Sequence, residues 1–460
     1  MSHTQRWRPV CPKLRRVQEL AKAKPKERFT SLAHHITQEA LERSYKSLDG
    51  TASAGVDGVT KEGYRQNLKE NLKALHERLK SGEYRATPVL RVYIEKPDGG
   101  KRPLGILSLE DKIVQGAVVE TLNCIYENDF KGFSYGFRPG RSAHKALQAL
   151  QTVLQKGKVN WVLDLDISKF FDTIDHKELM SLLQRRVTDS RMLRLIGKWL
   201  AVGAVEEDGH RIRSKRGTPQ GGVISPLLAN IFLHYVMDSF VHEWRKTKAI
   251  GEVYIVRYAD DVVIAFEDEG DARRLLAEIA TRLQDYGLTL NRDKTRMVRF
   301  GRNWTGKDGR GKSETFDFLG FTHIAGKSRQ GSYLVQRKTA RKRLNRSLKA
   351  ISEWCKRNRH TPLRWQSVQL SLKVKGHYNY YGVRGNIRSL SKFWHAVQRL
   401  WLKALMRRSQ KVRTSRLYEL IDHQFALPRP HITHPEGWFR QNPGYLLGRA
   451  GCGKAARPVL

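Results

Sequence analysis

The chain carries Val256-Arg257-Tyr258-Ala259-Asp260-Asp261-Val262-Val263 near its middle, with two adjacent aspartates between β-branched residues. Acidic residues are poor strand formers and β-branched residues are good ones. The pattern predicts two strands, 253–257 and 262–266, around a tight turn that projects both carboxylates. Two close carboxylates repel each other unless cations neutralise them, and Mg²⁺ prefers oxygen ligands of this kind. On this stretch alone, an exposed turn and a metal site are equally good interpretations.

A second acidic element favours the metal site. It is Trp161-Val-Leu-Asp-Leu-Asp-Ile-Ser-Lys-Phe-Phe-Asp172, in which a strand is predicted over 159–166. Strand alternation puts Asp164 and Asp166 on one face. A carboxylate on this strand, next to the acidic hairpin, could hold two Mg²⁺ ions about 4 Å apart, which is the geometry of nucleotide polymerisation. Asp164 competes with Asp166 for this role, and the spacing to the paired phenylalanines favours Asp166.

The charge of the chain indicates a polyanionic partner. Its formal net charge is +40, and residues 301–460 contain 34 Lys and Arg against 7 Asp and Glu. A field of this size favours nucleic acid, with the main binding surface in the carboxy-terminal third. Charge alone does not distinguish a nucleic-acid enzyme from a protein that coats RNA without catalysing a reaction.

Other classes of protein are disfavoured. No apolar run approaches the roughly 20 residues of a membrane-spanning helix, and the basic amino terminus has no apolar stretch behind it. We therefore expect a cytoplasmic protein. The four cysteines are widely spaced, without a C-x-x-C pair, so neither a zinc site nor a disulfide framework is expected.

The periodicity of the chain predicts an α+β fold followed by helices. A β-hairpin is predicted over 88–106. Helices are predicted over 111–126 and 271–286, and a further helix is predicted to begin at Ser225, which would cap it. Strand signals stop near residue 335. The apolar stripe of 389–410 indicates a core helix more than a base-stacking surface. Residues 411–460 contain several prolines and glycines and are expected to form a loosely structured tail.

Eight sequence segments occur along the chain in the same order as in a known protein family. They are GVDGVT (55–60), KPDGGKRPLGI (96–106), SYGFRPGRSAHKAL (134–147), DISKFFDTIDH (166–176), RGTPQGGVISPLLANIFL (216–233), RYADD (257–261), GLTLNRDKT (287–295) and FLGF (318–321). Together they resemble the reverse transcriptases, specifically the bacterial group II intron-encoded proteins that act as reverse transcriptase and maturase. The resemblance implies a right-hand polymerase, with fingers and palm built from an antiparallel sheet plus helices, followed by an α-helical thumb.

The resemblance also implies a division of the chain into four parts. A basic helical extension (1–60) precedes the fingers and palm (61–330), the thumb or maturase domain (331–410) and a basic tail (411–460). Many relatives carry an additional HNH endonuclease with paired cysteines, and the sequence contains no such pairs. An endonuclease-lacking type is therefore expected.

The resemblance assigns roles to individual residues. It implies that catalysis and the binding of two Mg²⁺ ions, with Mn²⁺ as a substitute, fall to Asp166, Asp260 and Asp261. The implied nucleotide-binding residues are Lys96, Arg102, Phe171, Gln220 and Gly221. Phe171 would exclude a 2′-hydroxyl, Lys96 and Arg102 would clamp the triphosphate, and Lys294 would protonate pyrophosphate. The implied RNA contacts are Arg138, Arg141, Arg341, Lys342 and Arg343.

A purely structural explanation is also available for several of these residues. Core packing would explain Phe171, ordinary surface charge would explain Lys96 and Arg102, and a plain turn would explain the glycines of the 219–222 loop. The aromatic segment 377–381 fits packing about twice as well as base stacking.

The function implied is RNA-directed DNA synthesis. The chain would extend a DNA or RNA primer with dNTPs on an RNA template, and would bind group II intron RNA to assist splicing and retrohoming into target DNA. No membrane partner is expected, a homodimer is left open, and target DNA would bring the protein to the nucleoid. A domesticated reverse transcriptase of defence or repair is one alternative. A non-catalytic splicing cofactor is another, although the intact acidic residues argue against it.

Overall fold

The computed structural model describes residues 11–95, 100–206, 208–212, 216–219, 221–304, 312–408 and 414–434. The chain divides into two compact units. Among the described residues, the first unit takes in 11–146 and 163–296, and the second takes in 147–162 and 297–434.

Helices make up most of the described chain. The α-helices are α1 (Pro12–Ala23), α2 (Gln38–Ser47), α3 (Lys61–Arg65), α4 (Leu68–Ser81), α5 (Leu109–Asp129), α6 (Ala143–Lys156), α7 (Phe170–Thr173), α8 (His176–Gln184), α9 (Ser190–Ala201), α10 (Ser225–Leu233), α11 (Ser239–Thr247), α12 (Glu269–Asp285), α13 (Arg341–Arg357), α14 (Leu363–Tyr381), α15 (Ile387–Met406) and α16 (Thr414–Glu419). A 3-10 turn forms at Ala33–His35, and π-helical turns form at His234–Asp238 and Leu420–Gln424.

The strands are short. They are β1 (Val89–Glu95), β2 (Lys101–Ile106), β3 (Trp161–Leu165), β4 (Ala204–Val205), β5 (Arg211–Ile212), β6 (Val253–Tyr258), β7 (Asp261–Phe266), β8 (Arg296–Arg299), β9 (Thr315–Phe318), β10 (Phe321–Lys327) and β11 (Tyr333–Thr339). Together with the helices they confirm the predicted α+β class.

Strands β6, β7 and β3 lie side by side in that order. β6 and β7 pair in antiparallel register from Val253 opposite Phe266 to Tyr258 opposite Asp261. Both predicted strands are confirmed, each one residue longer at the turn. Helix α10 is mainly apolar, and eight of its nine residues are buried, so it lies in the core of the first unit.

The amino-terminal part of the first unit contains the predicted hairpin. β1 and β2 are antiparallel partners in a sheet of order β2-β1-β4-β5, with Leu90 opposite Ile106 and Glu95 opposite Lys101. Helix α5 starts next because Ser108 caps it, its hydroxyl accepting from the Asp111 amide at 3.2 Å. Ser225, expected to cap α10 in the same way, is instead the first residue of that helix, and its hydroxyl donates to the Pro219 carbonyl at 2.9 Å.

The second unit combines a sheet of order β11-β10-β9 with helices α13 to α15. Buried side chains of α14 and α15, among them Leu370, Val374, Phe393 and Trp401, form its core. The stripe of 389–410 is therefore core, as predicted.

The division between the units does not fall at the expected boundary of 330. The sheet belongs with the helices because Asn386, at the start of α15, bonds to Thr339 at the end of β11. The Asn386 Oδ1 accepts from the Thr339 amide at 3.0 Å, and its Nδ2 donates to the Thr339 hydroxyl at 2.8 Å.

The expectation of a loose tail is wrong for residues 414–434. Ile421 and Leu427 are buried in the core of the second unit. The amides of Thr433 and His434 both donate to the Gly382 carbonyl at 2.9 Å, and the Tyr378 hydroxyl donates to the Pro428 carbonyl at 3.0 Å. This segment therefore closes over the end of α14, which also explains the aromatic segment 377–381 by packing. Among the described helices, none has the length and apolar character needed to cross a membrane.

Candidate active site

The turn between β6 and β7 consists of two residues, Ala259 and Asp260. Ala259 has a φ of +58°, whereas Asp260 does not have a positive φ. A positive φ at only the first central residue is typical of a II′ turn, where glycine is the usual residue. An alanine in this position is strained, and such strain persists where surrounding structure holds it. Asp260 is partly buried, and Asp261 is exposed at the start of β7.

The segment 133–136 runs along β6 and holds this turn. The Tyr135 amide donates to the Arg257 carbonyl at 2.8 Å, and the Arg257 amide donates to the Phe133 carbonyl at 2.9 Å. A Cβ placed on Gly136 would lie 2.2 Å from the Ala259 nitrogen, so only glycine fits there. This contact was not foreseen from the sequence, although glycine within the SYGFRPGRS motif was a signal for close backbone approach.

Asp166 directly follows β3 and is fixed through its backbone. Its carbonyl accepts from the Asn291 amide at 2.8 Å, and its amide donates to the Thr295 hydroxyl at 3.4 Å. Asp164 and Asp166 are both partly buried whereas Leu163 and Leu165 are buried, so the predicted alternation is confirmed. The Lys294 Nζ lies 3.5 Å from the Asp166 Oδ2.

Asp166, Asp260 and Asp261 thus lie at the ends of two neighbouring strands of one unit. Their oxygens are the hard ligands that Mg²⁺ prefers, which makes the donor chemistry suitable. Within the described residues, no group of three His, Cys, Asp or Glu side chains forms a ready metal cage. In polymerases Mg²⁺ is typically held by one or two carboxylates plus substrate phosphates and water, so a complete protein cage is not required.

Phe171 lies in the short helix α7, beyond the end of the predicted strand. Phe170 is buried against Phe232, and Phe171 is partly exposed, so one of the two phenylalanines does face the core. The Phe171 carbonyl accepts from the Thr218 amide at 2.7 Å, which attaches the 216–222 loop to α7.

The same loop touches the hairpin of β1 and β2. Gly221 has a φ of +117°, and a Cβ there would lie 2.3 Å from the Gly105 carbonyl oxygen in β2. The glycine is therefore required twice, by its backbone conformation and by close approach. Lys96 and Gln220 lie outside the described residues, as does the side chain of Arg102.

The expected template contact at Arg138 is contradicted by its burial. Its side chain is 3% exposed, and its guanidinium is bound to the Glu127 carboxylate and to the carbonyls of Lys131 and Ser134. A guanidinium committed in this way cannot reach a phosphate, so Arg138 shapes the 131–138 segment instead. Arg141 is only partly buried, donates to the Gly132 carbonyl at 2.6 Å, and has a pKa lowered mainly by burial.

The three basic residues predicted to bind RNA at the start of α13 are all exposed. They are Arg341, Lys342 and Arg343. The first turn of α13 contains no acidic residue, so nothing there offsets their charge.

Comparison with known proteins assigns the class. The matching family model is that of the reverse transcriptases (RNA-dependent DNA polymerases), and it spans residues 94–323, half of the chain. The chain therefore belongs to the reverse transcriptase family, and it is an RNA-directed DNA polymerase.

Two individual relatives show which reverse transcriptases the chain is similar to. The chain is 35% identical over 360 residues to protein YkfC of Escherichia coli, covering 72% of this chain and 88% of that protein. It is 37% identical over 236 residues to the group II intron-encoded protein LtrA of Lactococcus lactis, covering 51% of this chain and 39% of LtrA. The match thus spans less than half the length of LtrA. These similarities confirm the predicted resemblance to group II intron-encoded reverse transcriptases and maturases.

Proposed function

We propose that the chain copies RNA into DNA with two Mg²⁺ ions held by Asp166, Asp260 and Asp261, and binds group II intron RNA to assist splicing and retrohoming. The observation that carries the catalytic part is the position of these carboxylates at the ends of neighbouring strands β3 and β7, beside a strained turn. The intron part rests on the similarity to LtrA and on the basic surface of α13.

The three carboxylates would hold the metal ions together with phosphate oxygens of the incoming dNTP. Mg²⁺ bound there supplies activation of the primer 3′-hydroxyl and stabilisation of the leaving pyrophosphate. The bonds of the Asp166 backbone to Asn291 and Thr295 fix the position from which one carboxylate extends, and the short turn does the same for the other two. Such preorganisation would lower the activation barrier for nucleotide addition, because the reacting atoms need no further ordering.

The nucleotide pocket would form around α7 and the 216–222 loop. Phe171 is partly exposed there and would exclude a ribose 2′-hydroxyl, which selects dNTPs over rNTPs. The loop bonds to Phe171 of α7 and packs on Gly105 of β2, so a shift of α7 or of β2 would change the shape of the pocket. Lys96 and Arg102 would clamp the triphosphate, and Gln220 would complete the loop.

Lys294 would donate a proton to the pyrophosphate. Its Nζ lies 3.5 Å from the Asp166 Oδ2, and its side chain is 66% exposed, so it would be accessible to a substrate bound beside that carboxylate. An ammonium group has three donors and no acceptor, which suits an anionic leaving group.

RNA would bind along α13. The exposed residues Arg341, Lys342 and Arg343 would contact phosphates, since duplex RNA is recognised mainly through its backbone and shape. Target DNA and a primer would be further nucleic-acid partners.

The catalytic proposal is tested by comparing two aspartates on one strand face. Asp166→Asn should reduce Mg²⁺-dependent primer extension on RNA by more than about 100-fold, because a metal ligand is lost. Asp164→Asn is the matched control and should keep most of the activity. RNA binding should be unchanged in both. Equal activity of the two variants, or a greater loss in Asp164→Asn, would contradict the assignment.

A further inference from the structure

Arg257 is a charged residue in the interior of the protein. It lies in β6 among apolar residues, and its side chain and that of its partner Asp238 are both 0% exposed. Removing an ion pair from water is expensive, and replacing such a pair by apolar residues is often neutral or stabilising. Stability alone therefore does not explain why this strand contains an arginine.

The guanidinium of Arg257 connects three separate segments. Its Nε and Nη2 donate to the two carboxylate oxygens of Asp238 at 2.7 and 2.5 Å. Its Nη1 donates at 2.9 Å to the Asn230 Oδ1 and, also at 2.9 Å, to the carbonyl of Ala259. The last acceptor is the strained residue of the turn that carries Asp260.

The partners of Arg257 are themselves held in place. Asp238 ends the π-helical turn His234–Asp238 between α10 and α11, and such turns are frequent at functional sites. Asn230 of α10 accepts from Arg257 through its oxygen and donates through its Nδ2 to the Gly136 carbonyl at 2.7 Å. Gly136 in turn lies directly against the Ala259 backbone.

We infer that Arg257 is a positioning residue, whose buried guanidinium fixes the Ala259-Asp260 turn, with Asp238 and Asn230, in the orientation needed for polymerisation. The inference rests on the proposed role of Asp260 in catalysis. A turn with a positive φ at alanine relaxes unless its surroundings hold it, and Arg257 holds it by the Ala259 carbonyl. A lysine in the same place could not reach Asp238, Asn230 and Ala259 together, because it lacks the planar fork of donors.

The first unit contains a matched control. Arg186 and Asp129 form a similarly buried pair, with side chains 3% and 10% exposed and an Nε to Oδ2 distance of 2.8 Å. Arg186 also donates to backbone carbonyls, those of Lys24 and Glu27, at 3.2 and 2.6 Å. These contacts secure the amino-terminal segment and do not include the turn.

The test compares Arg257→Lys, Asn230→Ala and Arg186→Lys in rapid-quench addition of one nucleotide, with primer–template in excess. The burst amplitude reports the fraction of folded, active enzyme, and the burst rate reports the geometry of the site. We expect the burst rate to fall about 10- to 100-fold in Arg257→Lys and at least about 5-fold in Asn230→Ala. The apparent dNTP dissociation constant should stay within about twofold, and Arg186→Lys should lower amplitude only.

Asn230→Ala leaves the Arg257–Asp238 pair intact, so it remains informative if Arg257→Lys does not fold. Burst rates within twofold of the wild type in the folded variants would overturn the inference, as would an equal loss of rate in Arg186→Lys. If the wild-type chain added no nucleotide, the proposed function would fail, independently of Arg257.

Discussion

Gly136 offers the sharpest perturbation of the turn, because two backbones meet there. A Cβ at this position would lie 2.2 Å from the Ala259 nitrogen, and ordinary contact begins at 3.4 Å, so the two segments would have to separate by about 1.2 Å. Neither segment can move freely, since the Gly136 carbonyl accepts from Asn230 and the Ala259 carbonyl accepts from Arg257. Misplacement by about 1 Å can cost a catalytic site about 100-fold in rate.

Gly136→Ala should therefore lower the rate of nucleotide addition by about 100-fold. Overpacking should also lower the free energy of unfolding by about 1–3 kcal/mol. The rate is measured in single-turnover primer extension on an RNA template, and stability by denaturant unfolding followed by fluorescence.

Gly197→Ala is the matched control for this variant. Gly197 lies in α9 of the same unit, and an added Cβ there would meet nothing within 4 Å. Alanine is favoured over glycine in a helix by about 0.5–1 kcal/mol, so this variant should be slightly more stable and fully active. A folded Gly136→Ala enzyme with a rate within twofold of the wild type would refute the reasoning.

Three further predictions concern the rest of the molecule. Burial holds the pKa of His323 at about 3, below its ordinary value of 6.5, so its stabilising contribution is complete above pH 6.5 and decreases as pH falls from 6.5 towards 3. About 2 kcal/mol should be lost by pH 5, and unfolding of His323→Phe that shows the same pH slope as the wild type would exclude this residue as the cause. Gly221→Ala should raise the KM for dNTPs, since its Cβ would lie 2.3 Å from a carbonyl of β2; an unchanged KM in a folded enzyme would argue against the loop as part of the pocket. Replacing the three basic residues at 341–343 by glutamine should reduce the slope of log affinity for RNA against log salt by about 2, and an unchanged slope would remove α13 from the RNA surface.

Local patterns predicted the elements of the site well. The hairpin of β6 and β7 was predicted to within one residue because β-branched residues on both sides of an acidic pair leave few alternatives. The shared face of Asp164 and Asp166 was equally direct, since both are partly buried while Leu163 and Leu165 beside them are buried.

Contacts between distant segments could not be predicted in this way. Arg138 was expected to face nucleic acid, yet Glu127 on α5 binds it in the interior, and its local sequence carries no sign of that partner. Arg257 and Asp238 are 19 residues apart and meet through tertiary packing, with the aspartate at the end of a π-helical turn. The packing of 427–434 on α14 likewise depends on a tertiary contact, so proline and glycine content alone gave the wrong expectation.

The role of Asp260 in catalysis is tested most directly by incorporation of labelled dNTPs on a primed RNA template over a range of Mg²⁺ concentrations. We predict that the wild-type chain synthesises cDNA only when Mg²⁺, or Mn²⁺ in its place, is present. Asp260→Ala should lose more than about 100-fold of this activity while binding the same RNA with unchanged affinity. Undiminished synthesis by Asp260→Ala would contradict the assignment of the turn as the catalytic centre.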